Sequence, residues 1–556
     1  MKGLDAGRLQ FICLVLSVFV AVTLCTERLR RAHDHRSEVV PWPAPQYWKT
    51  WDYPLVLDAD TFYMTSNAQT CDIIAEALRR YRDLIFGSPK RISRQRYDAR
   101  PVLPGIRVQV EKFQRQDCQY PGHLSDEKYM LTVYETDATI TSATVWGALR
   151  GLETFSQLVY TKANEPDKLL INVTEVEDFP RFGFRGVLLD SARHFLSVDV
   201  IKKNLDAMAY NKFNVFHWHI VDDQSWPLEL CTFPNITTSA FAPRSVYTKL
   251  DVQDIIKYAR LRGIRVIPEI DTPGHSQALG RVFPDLPARC HGDSTPGSPG
   301  QPKLSSALDP TRERTYEVVT KILKEVAGTF KDEYIHLGMD EVNYACWNNN
   351  PEIRHFMRQR GFSSASDLEE FYVRRTFENV RDIGAKYMIW QDPIDNGVEV
   401  PIDTLVGVWK NSDFDKWQGY ATRVARKGYQ IVVSGCWYLN YISYGDDWKK
   451  YYDCDPTGFS GGAKEKDLVI GGEAAMWGEY VDDTNLVPTL WPRACAVAER
   501  LWSSPSYNNA EAAESRMNEQ RCRMLRRGIE AQPLANSVCP DYEDVNEENL
   551  GTCPYV

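Results

Sequence analysis

Two adjacent carboxylates, Asp340 and Glu341, stand at the end of a short apolar run, Tyr334-Ile-His-Leu-Gly338. The run reads as a buried strand stopped by a glycine turn, which places both acids at a rim where a substrate can sit. Neighbouring side chains on an extended backbone point to opposite sides, so the two acids are expected to divide the work. One transfers a proton; the other orients or stabilises a charged species. Such a pair taken alone belongs more often to a solvated loop or a helix start. Repetition of the pattern along the chain argues for chemistry.

Further strand-like runs end in the same way. Arg193 and His194 follow the first, then His217, His219, Asp222 and Asp223, and then Glu269, Asp271 and His275. His336 leads into the acid pair, and Trp390 with Asp392, Trp409, Trp437 with Tyr438 and Asn440, and Trp477 with Glu479 close the remaining runs. Half of the ten histidines fall at these ends, a concentration that needs a chemical cause. Indole faces stack on the C–H faces of a pyranose, while acids and an arginine hydrogen-bond its hydroxyls, so a sugar site is expected. The competing chemistry is a metal-dependent hydrolase, with His217 and His219 on one strand face and Asp222 or His275 completing the ligands. No ligand triad stands out, and the same residues suit hydrogen-bonded support of an acid. Neither a metal nor another cofactor is expected.

The elements that would carry these ends are regular. Strand runs at 184–190, 214–222, 265–270, 333–340, 387–392, 405–410, 430–437 and 468–477 alternate with helical patterns. Ser197 caps a helix to Tyr210 that buries Val200, Ile201, Leu205 and Met208; Thr248 and Asp251 open the next, stopped by Gly263. A helix at 311–329 follows, then one capped by Ser366 and Glu369 and ended by Gly384, one at 487–502, and an amphipathic segment from Ala510. This alternation predicts an α/β fold, a (β/α)8 TIM barrel over 181–556 with a C-terminal helix and tail, whose active site lies at the C-terminal strand ends. Before it, 37–179 mixes strands at 56–57, 107–110 and 130–134 with helices at 71–86 and 145–158, a small α+β domain in which the last two strands are expected to pair antiparallel. Residues 297–302 read as a flexible loop.

With 556 residues, 43% hydrophobic, the chain can bury a large core, and its net charge of -10 argues against nucleic acid as a partner. Lys2 and Arg8 precede an apolar run at 11–25, shorter than the roughly 20 residues that span a bilayer, so 1–25 is expected to be a secretory signal peptide. No other run approaches membrane length, and no stable span is expected in the mature chain. Export permits disulfides: of thirteen cysteines, Cys13 and Cys25 lie in the leader, which leaves an odd number and at least one thiol unpaired within the chain. Asn172-Val-Thr174 and Asn235-Ile-Thr237 are glycosylation sequons.

Five stretches carry a resemblance: Arg185-Gly-Val-Leu-Leu-Asp-Ser-Ala-Arg-His194, Asn214-Val-Phe-His-Trp-His-Ile-Val-Asp-Asp223, Glu269-Ile-Asp-Thr-Pro-Gly-His275, His336-Leu-Gly-Met-Asp-Glu341 and Trp477-Gly-Glu479. In this order they resemble the β-N-acetylhexosaminidases of glycoside hydrolase family 20, most strongly the animal lysosomal α and β subunits. The resemblance implies a retaining exo-glycosidase that removes terminal β-linked N-acetylglucosamine and N-acetylgalactosamine from glycans, with the sugar's own acetamido oxygen as nucleophile. It implies that Glu341 is the general acid and base, that Asp340 holds the acetamido group, and that Asp222 and His275 support Glu341. Burial among indoles is expected to raise that acid's pKa. Arg193 would grip O3 and O4 and Glu479 O4 and O6, while Trp390, Trp409 and Trp477 box the N-acetyl group and Tyr438 bonds its carbonyl.

The same resemblance implies disulfides Cys71–Cys118, Cys290–Cys346 and Cys522–Cys539, and leaves Cys231, Cys436, Cys454, Cys495 and Cys553 unassigned. It also implies a homodimer or heterodimer in the lysosome or outside the cell. Where the vertebrate α subunit has Asn-Arg and the β subunit Asp-Leu, this chain has Asn440-Tyr441. Without that cation, neutral substrates are expected to dominate over 6-sulfated ones. Readings from other classes are a secreted carbohydrate-binding partner subunit without turnover and the metal-dependent hydrolase.

Overall fold

The computed structural model describes residues 40–539, apart from 88–97, 112, 114–117, 163, 291–302, 412–415, 442 and 444, and only the backbone of Lys303 and Leu304. The expected leader at 1–25, Cys553 and the expected loop at 297–302 lie outside the described residues. Among those described, no helix is long and apolar enough to cross a membrane.

Eight parallel strands close a barrel in sequential order: β1 (Phe184–Asp190), β2 (Val215–His219), β3 (Arg265–Thr272), β4 (Tyr334–Gly338), β5 (Lys386–Trp390), β6 (Leu405–Val408), β7 (Gln430–Val433) and β8 (Val469–Met476). Closure comes from β8 pairing with β1, where Gly471 lies opposite Phe184. Strands covered on both faces by protein need apolar residues throughout, which is why these runs were legible. Four exceptions are informative. His217, His219, Glu269 and His336 are fully buried polar residues on β2, β3 and β4, and the register sets Glu269 level with both His219 and His336.

The helices follow their sequence signals with three differences. Ser197 caps Val198–Tyr210, although Val200 stays half-buried, and Thr248 with Asp251 forms the capping box of Lys249–Arg260. The helix Ala365–Ile383 is capped by Ser364 and Asp367, two residues before the expected Ser366 and Glu369, because Glu369 is buried and bonded to Tyr344 instead. The expected helix at 487–502 is split into Leu486–Leu490 and Arg493–Trp502, since Pro492 has no N–H to continue the ladder.

The N-terminal sheet runs in the order Tyr47–Leu57, Glu165–Asp178, Tyr129–Val133, Ala138–Ser142, Gly105–Val110, Tyr63–Ser66. The expected pairing of 107–110 with 130–134 is corrected here: Ala138–Ser142 lies between them, antiparallel to one and parallel to the other. Asp72–Phe86 and Val145–Leu158 pack on the sheet, and every residue of the second helix is buried because the barrel covers its other side.

A buried polar knot joins the two layers. Glu127 accepts hydrogen bonds from Arg150 of the N-terminal unit at 2.7 Å, from Arg185 of β1 at 2.7 Å and from Asn214 at 3.1 Å. Beside it Lys212 donates to Asp178 at 2.8 Å, and Trp502 donates to the same carboxylate at 2.9 Å. Burial alone would raise the pKa of Glu127, but Arg185 and Arg150 together hold it below the ordinary value.

Disulfides join Cys71 to Cys118, Cys290 to Cys346, Cys522 to Cys539 and Cys436 to Cys454, the last a pair the sequence left open. Cys231 is exposed and Cys495 buried, both as free thiols. Of the two sequons, Asn235 is exposed, whereas Asn172 is half-buried in its strand and accepts a hydrogen bond from Tyr160 at 2.8 Å. Removing one member of the knot should leave uncompensated buried charge. Glu127→Ala is therefore expected to cost about 3–5 kcal/mol of stability, read as a lower midpoint in thermal or denaturant unfolding; an unchanged midpoint contradicts it.

Candidate active site

The C-terminal mouth of the barrel gathers the residues that the rim reading singled out. The loop after β4 does not continue as extended chain: Gly338, Met339 and Glu341 all take positive φ, of 67°, 70° and 49°. Only glycine fits at 338, where an added Cβ would meet Asp271 Oδ1 at 1.8 Å. Left-handed non-glycine residues cost of order 1–3 kcal/mol each and cluster at functional sites. The two acids still diverge, though the reason is this strained turn and not strand alternation. The Asp340 side chain is 11% exposed and that of Glu341 is 58% exposed.

His275, itself at a φ of 48°, stands between them. Its Nε2 lies 3.6 Å from Glu341 and 3.7 Å from Asp340, and its Nδ1 faces Asp222 at 3.3 Å. Asp222 in turn accepts from His219 Nε2 at 2.9 Å and from Arg193 at 2.9 Å. His219 Nδ1 donates to Glu269 at 2.7 Å, so both ring nitrogens face carboxylates and the ring carries both protons. Burial works against that charge, yet Glu269 and Asp222 raise the pKa of His219 well above the ordinary value. Burial likewise opposes His275⁺ and is outweighed by Asp271, Asp222 and Glu341. For Asp222, burial is outweighed by His219 and His275, which hold the carboxyl well below its usual range. The metal reading of His217, His219, Asp222 and His275 meets a geometry in which these imidazoles are engaged by carboxylates.

The expected tuning of Glu341 is corrected by this arrangement. His275 holds the Glu341 carboxyl below its ordinary value, against a partial burial that pushes the other way, and more than half of the side chain meets water. Burial instead pushes Asp340 up to about 7 against the pull of His275, and drives Asp271 well above the usual range, with the charge of Asp340 adding to the rise. Oδ1 of Asp340 is buried with no hydrogen-bond partner, an acceptor that awaits a donor.

Trp390, Tyr438 and Trp477 form one buried cluster, with Trp409 packed against it. Trp409 and Tyr438 stack with ring centroids 6.2 Å apart, and Trp390 and Trp477 are 6.1 Å apart. Each indole is oriented by a carboxylate or a cation: Trp390 donates to Glu269 at 2.8 Å, Trp409 donates to Asp392 at 2.8 Å, and the Arg193 guanidinium lies 5.0 Å from the Trp477 ring. Trp437, read as a fourth rim indole, instead packs in the main core and donates to the carbonyl of Tyr451 at 2.9 Å. Residues 437–439 prolong β7 beside β8, so alternation sends Tyr438 into the pocket and Trp437 out of it. Asn440 has a buried Oδ1 without a partner, and Glu479 is exposed, close enough for its charge to act on Arg193.

Two participants went unnoticed in the sequence. Asp190 accepts from the backbone of Ala192 at 2.9 Å and of Gly478 at 2.9 Å and from Arg193 Nη1 at 2.9 Å, which ties the first and last strand ends together. An Asp at a strand end followed by Ser-Ala-Arg is the sequence signal of such a turn. Lys410 reaches Asp392 at 2.9 Å and Asp395 at 3.2 Å, and Asp392 also accepts from the backbone N–H of Glu341 at 3.2 Å.

A closed barrel with paired carboxyls and an aromatic cage at its C-terminal mouth defines a carbohydrate-active hydrolase. The comparisons agree and narrow it. A model described as glycosyl hydrolase family 20, catalytic domain, matches residues 182–505, and one described as beta-acetyl hexosaminidase like matches residues 41–158. The chain is 44% identical to mouse beta-hexosaminidase subunit alpha over 506 residues, covering 90% of this chain and 94% of that one. With human beta-hexosaminidase subunit beta the identity is 42% over 549 residues, covering 97% and 95%. Among solved structures, a chitobiase from Flavobacterium johnsoniae superposes with a TM-score of 0.74 at 28% identity, covering 88% of this chain and 73% of that one. The chain belongs to glycosyl hydrolase family 20.

The raised pKa of Asp340 has a consequence for stability. Between the ordinary 3.8 and about 7, the folded chain holds a proton that the unfolded chain has lost. Stability therefore falls as pH rises through that window. Asp340→Asn removes the titration, so its melting midpoint relative to the parent should be higher at pH 7.5 than at pH 4.5. A difference independent of pH, or one of opposite slope, contradicts the assignment.

Proposed function

We infer that this protein is an exo-acting β-N-acetylhexosaminidase that removes terminal N-acetylglucosamine and N-acetylgalactosamine from glycans by substrate-assisted catalysis. The observation that carries the reading is the buried, unpartnered Oδ1 of Asp340, on a carboxyl whose charge reaches Tyr438 of the aromatic cage. An acetamido group supplies what the site needs: an N–H for Asp340, a methyl for the indoles and a carbonyl for the Tyr438 hydroxyl. Its carbonyl oxygen would then be held as the nucleophile, beneath the sugar's anomeric carbon.

In this mechanism Glu341 gives its proton to the glycosidic oxygen while the bond from that oxygen to C1 breaks. The amide oxygen bonds to C1, and the resulting oxazolinium cation is stabilised by Asp340, whose ionised form it favours. Glu341, now a carboxylate, takes a proton from water as that water attacks C1, and the amide is restored with the anomeric configuration retained. Arg193, held by Asp190 and Asp222, would bind O3 and O4, and Glu479 would close on O4 and O6. The position of Glu341 explains its timing. Its side chain is mostly exposed and His275 lowers its proton affinity; a bound sugar would exclude water and raise it.

Two relatives bear the printed name of a subunit, and the leader at 1–25 reads as an export signal, which supports a homodimer or heterodimer that is lysosomal or secreted. Tyr441 is 57% exposed beside Tyr438 and offers no positive charge, so neutral glycosides should turn over faster than their 6-sulfated forms.

The central test is Glu341→Gln. Loss of a general acid and base costs about 10²–10⁴ in rate, and the loss should be larger on a β-linked N-acetylglucosamine disaccharide than on the nitrophenyl glycoside, whose leaving group needs little protonation. Full activity on both ends the assignment. Because kcat/KM reports the free enzyme and kcat the complex, the limb that follows Glu341 should lie at higher pH in kcat than in kcat/KM. Coincident limbs would show that binding does not shift the acid.

A further inference from the structure

We propose that Glu269 is a positioning residue that keeps the acetamido cage and the proton-transfer chain in register; the inference rests on the hexosaminidase reading above. Glu269 lies on β3, fully buried, below the residues that would touch substrate. Its two oxygens serve different halves of the site. Oε1 accepts from the Trp390 indole at 2.8 Å, fixing one wall of the cage. Oε2 accepts from His219 Nδ1 at 2.7 Å, and His219 continues through Asp222 to His275, which stands beside both catalytic carboxyls.

The remaining approaches to Glu269 are also occupied. His217 Nε2 lies 3.0 Å from Oε2, its other nitrogen 3.1 Å from Glu473, and His336 Nδ1 lies 3.2 Å from Oε1. The register explains the convergence: Glu269 is level with His219 on one side and His336 on the other, and the closed barrel brings Trp390 across from β5. A carboxylate offers about four lone-pair sites, and here each oxygen anchors a different arm. A carboxamide has one acceptor oxygen, so with that oxygen on Trp390 it can meet His219 only by donating to Nδ1, which requires a neutral ring and removes the doubly protonated imidazole that now links Glu269 to Asp222. A buried anion that only satisfied barrel histidines would have no reason to bond the indole that walls the substrate pocket.

The arms can be read separately. Competitive inhibition by a thiazoline analogue of the ring-closed sugar reports the cage, and kcat on a β-linked N-acetylglucosamine disaccharide reports proton transfer. Glu269→Gln should weaken the thiazoline and lower kcat, each by about tenfold or more, as displacements of about 1 Å can cost about a hundredfold. Trp390→Phe should act mainly on the thiazoline and His219→Gln mainly on kcat. Folded Glu269→Gln protein in which only one readout moves, or neither, overturns the proposal.

Should that variant not fold, the double variant Trp390→Phe with His219→Gln tests the same link with Glu269 intact. Coupling through a shared carboxylate predicts that the two losses do not multiply; losses that multiply within about twofold overturn it. If the parent protein neither cleaves the disaccharide nor binds the thiazoline, the hexosaminidase reading itself has failed, a result distinct from failure of the Glu269 link.

Discussion

Charge held out of water at the mouth of a closed barrel is the constraint on which the rest of the structure depends. Asp222, Glu269 and Glu473 are buried, and each faces an imidazole: His219 and His275, His217 and His219, and His217. Unpaired, any one of these ions would cost several kcal/mol. Alternation of anion and cation along hydrogen bonds makes the arrangement tenable, but only while every member keeps its place. The barrel supplies that rigidity, because parallel strands in fixed register cannot slide without breaking their whole ladder.

The constraint also explains why the two adjacent carboxyls differ. Asp340 sits deeper, with an oxygen that has lost water and found no donor, so it is poised for an amide N–H. Glu341 stays largely exposed beside His275, which lowers its proton affinity; on the proposed mechanism a ligand that covers it would raise that affinity. One residue is prepared before binding and the other by binding. The strained turn through Gly338, Met339 and Glu341 produces this difference within two adjacent positions.

Among the described residues, no side chain of the N-terminal unit takes part in the pocket contacts, yet the unit is welded to the barrel by a second buried network, Glu127 with Arg150, Arg185 and Asn214. Arg185 lies on β1, whose far end carries Asp190 and leads to Arg193. The disulfide Cys436–Cys454 bridges the start of the Tyr438 segment to the helix Trp448–Asp453 and its neighbourhood, and so braces the loop that delivers Tyr438. Stability is thus concentrated behind and beside the site, where rigidity serves positioning.

By itself the sequence determined the barrel class, the strand ends and the residue types at the rim, because buried parallel strands must be apolar throughout and any polar residue at their ends is conspicuous. The family resemblance further proposed roles for Glu341, Asp340, Asp222, His275 and the three box indoles. Other features were decided by tertiary structure alone. Trp437 turned outward because its neighbour faced the pocket, and Ala138–Ser142 came between two strands expected to pair. Glu369 was drawn into the core by Tyr344, leaving the helix cap to Ser364. Glu341 proved the wetter acid and Asp340 the raised one. Local spacing specifies which way a side chain can point and which element it joins. Its solvation, its partners and its proton affinity are set by groups distant in sequence, and only the closed fold brings those within reach.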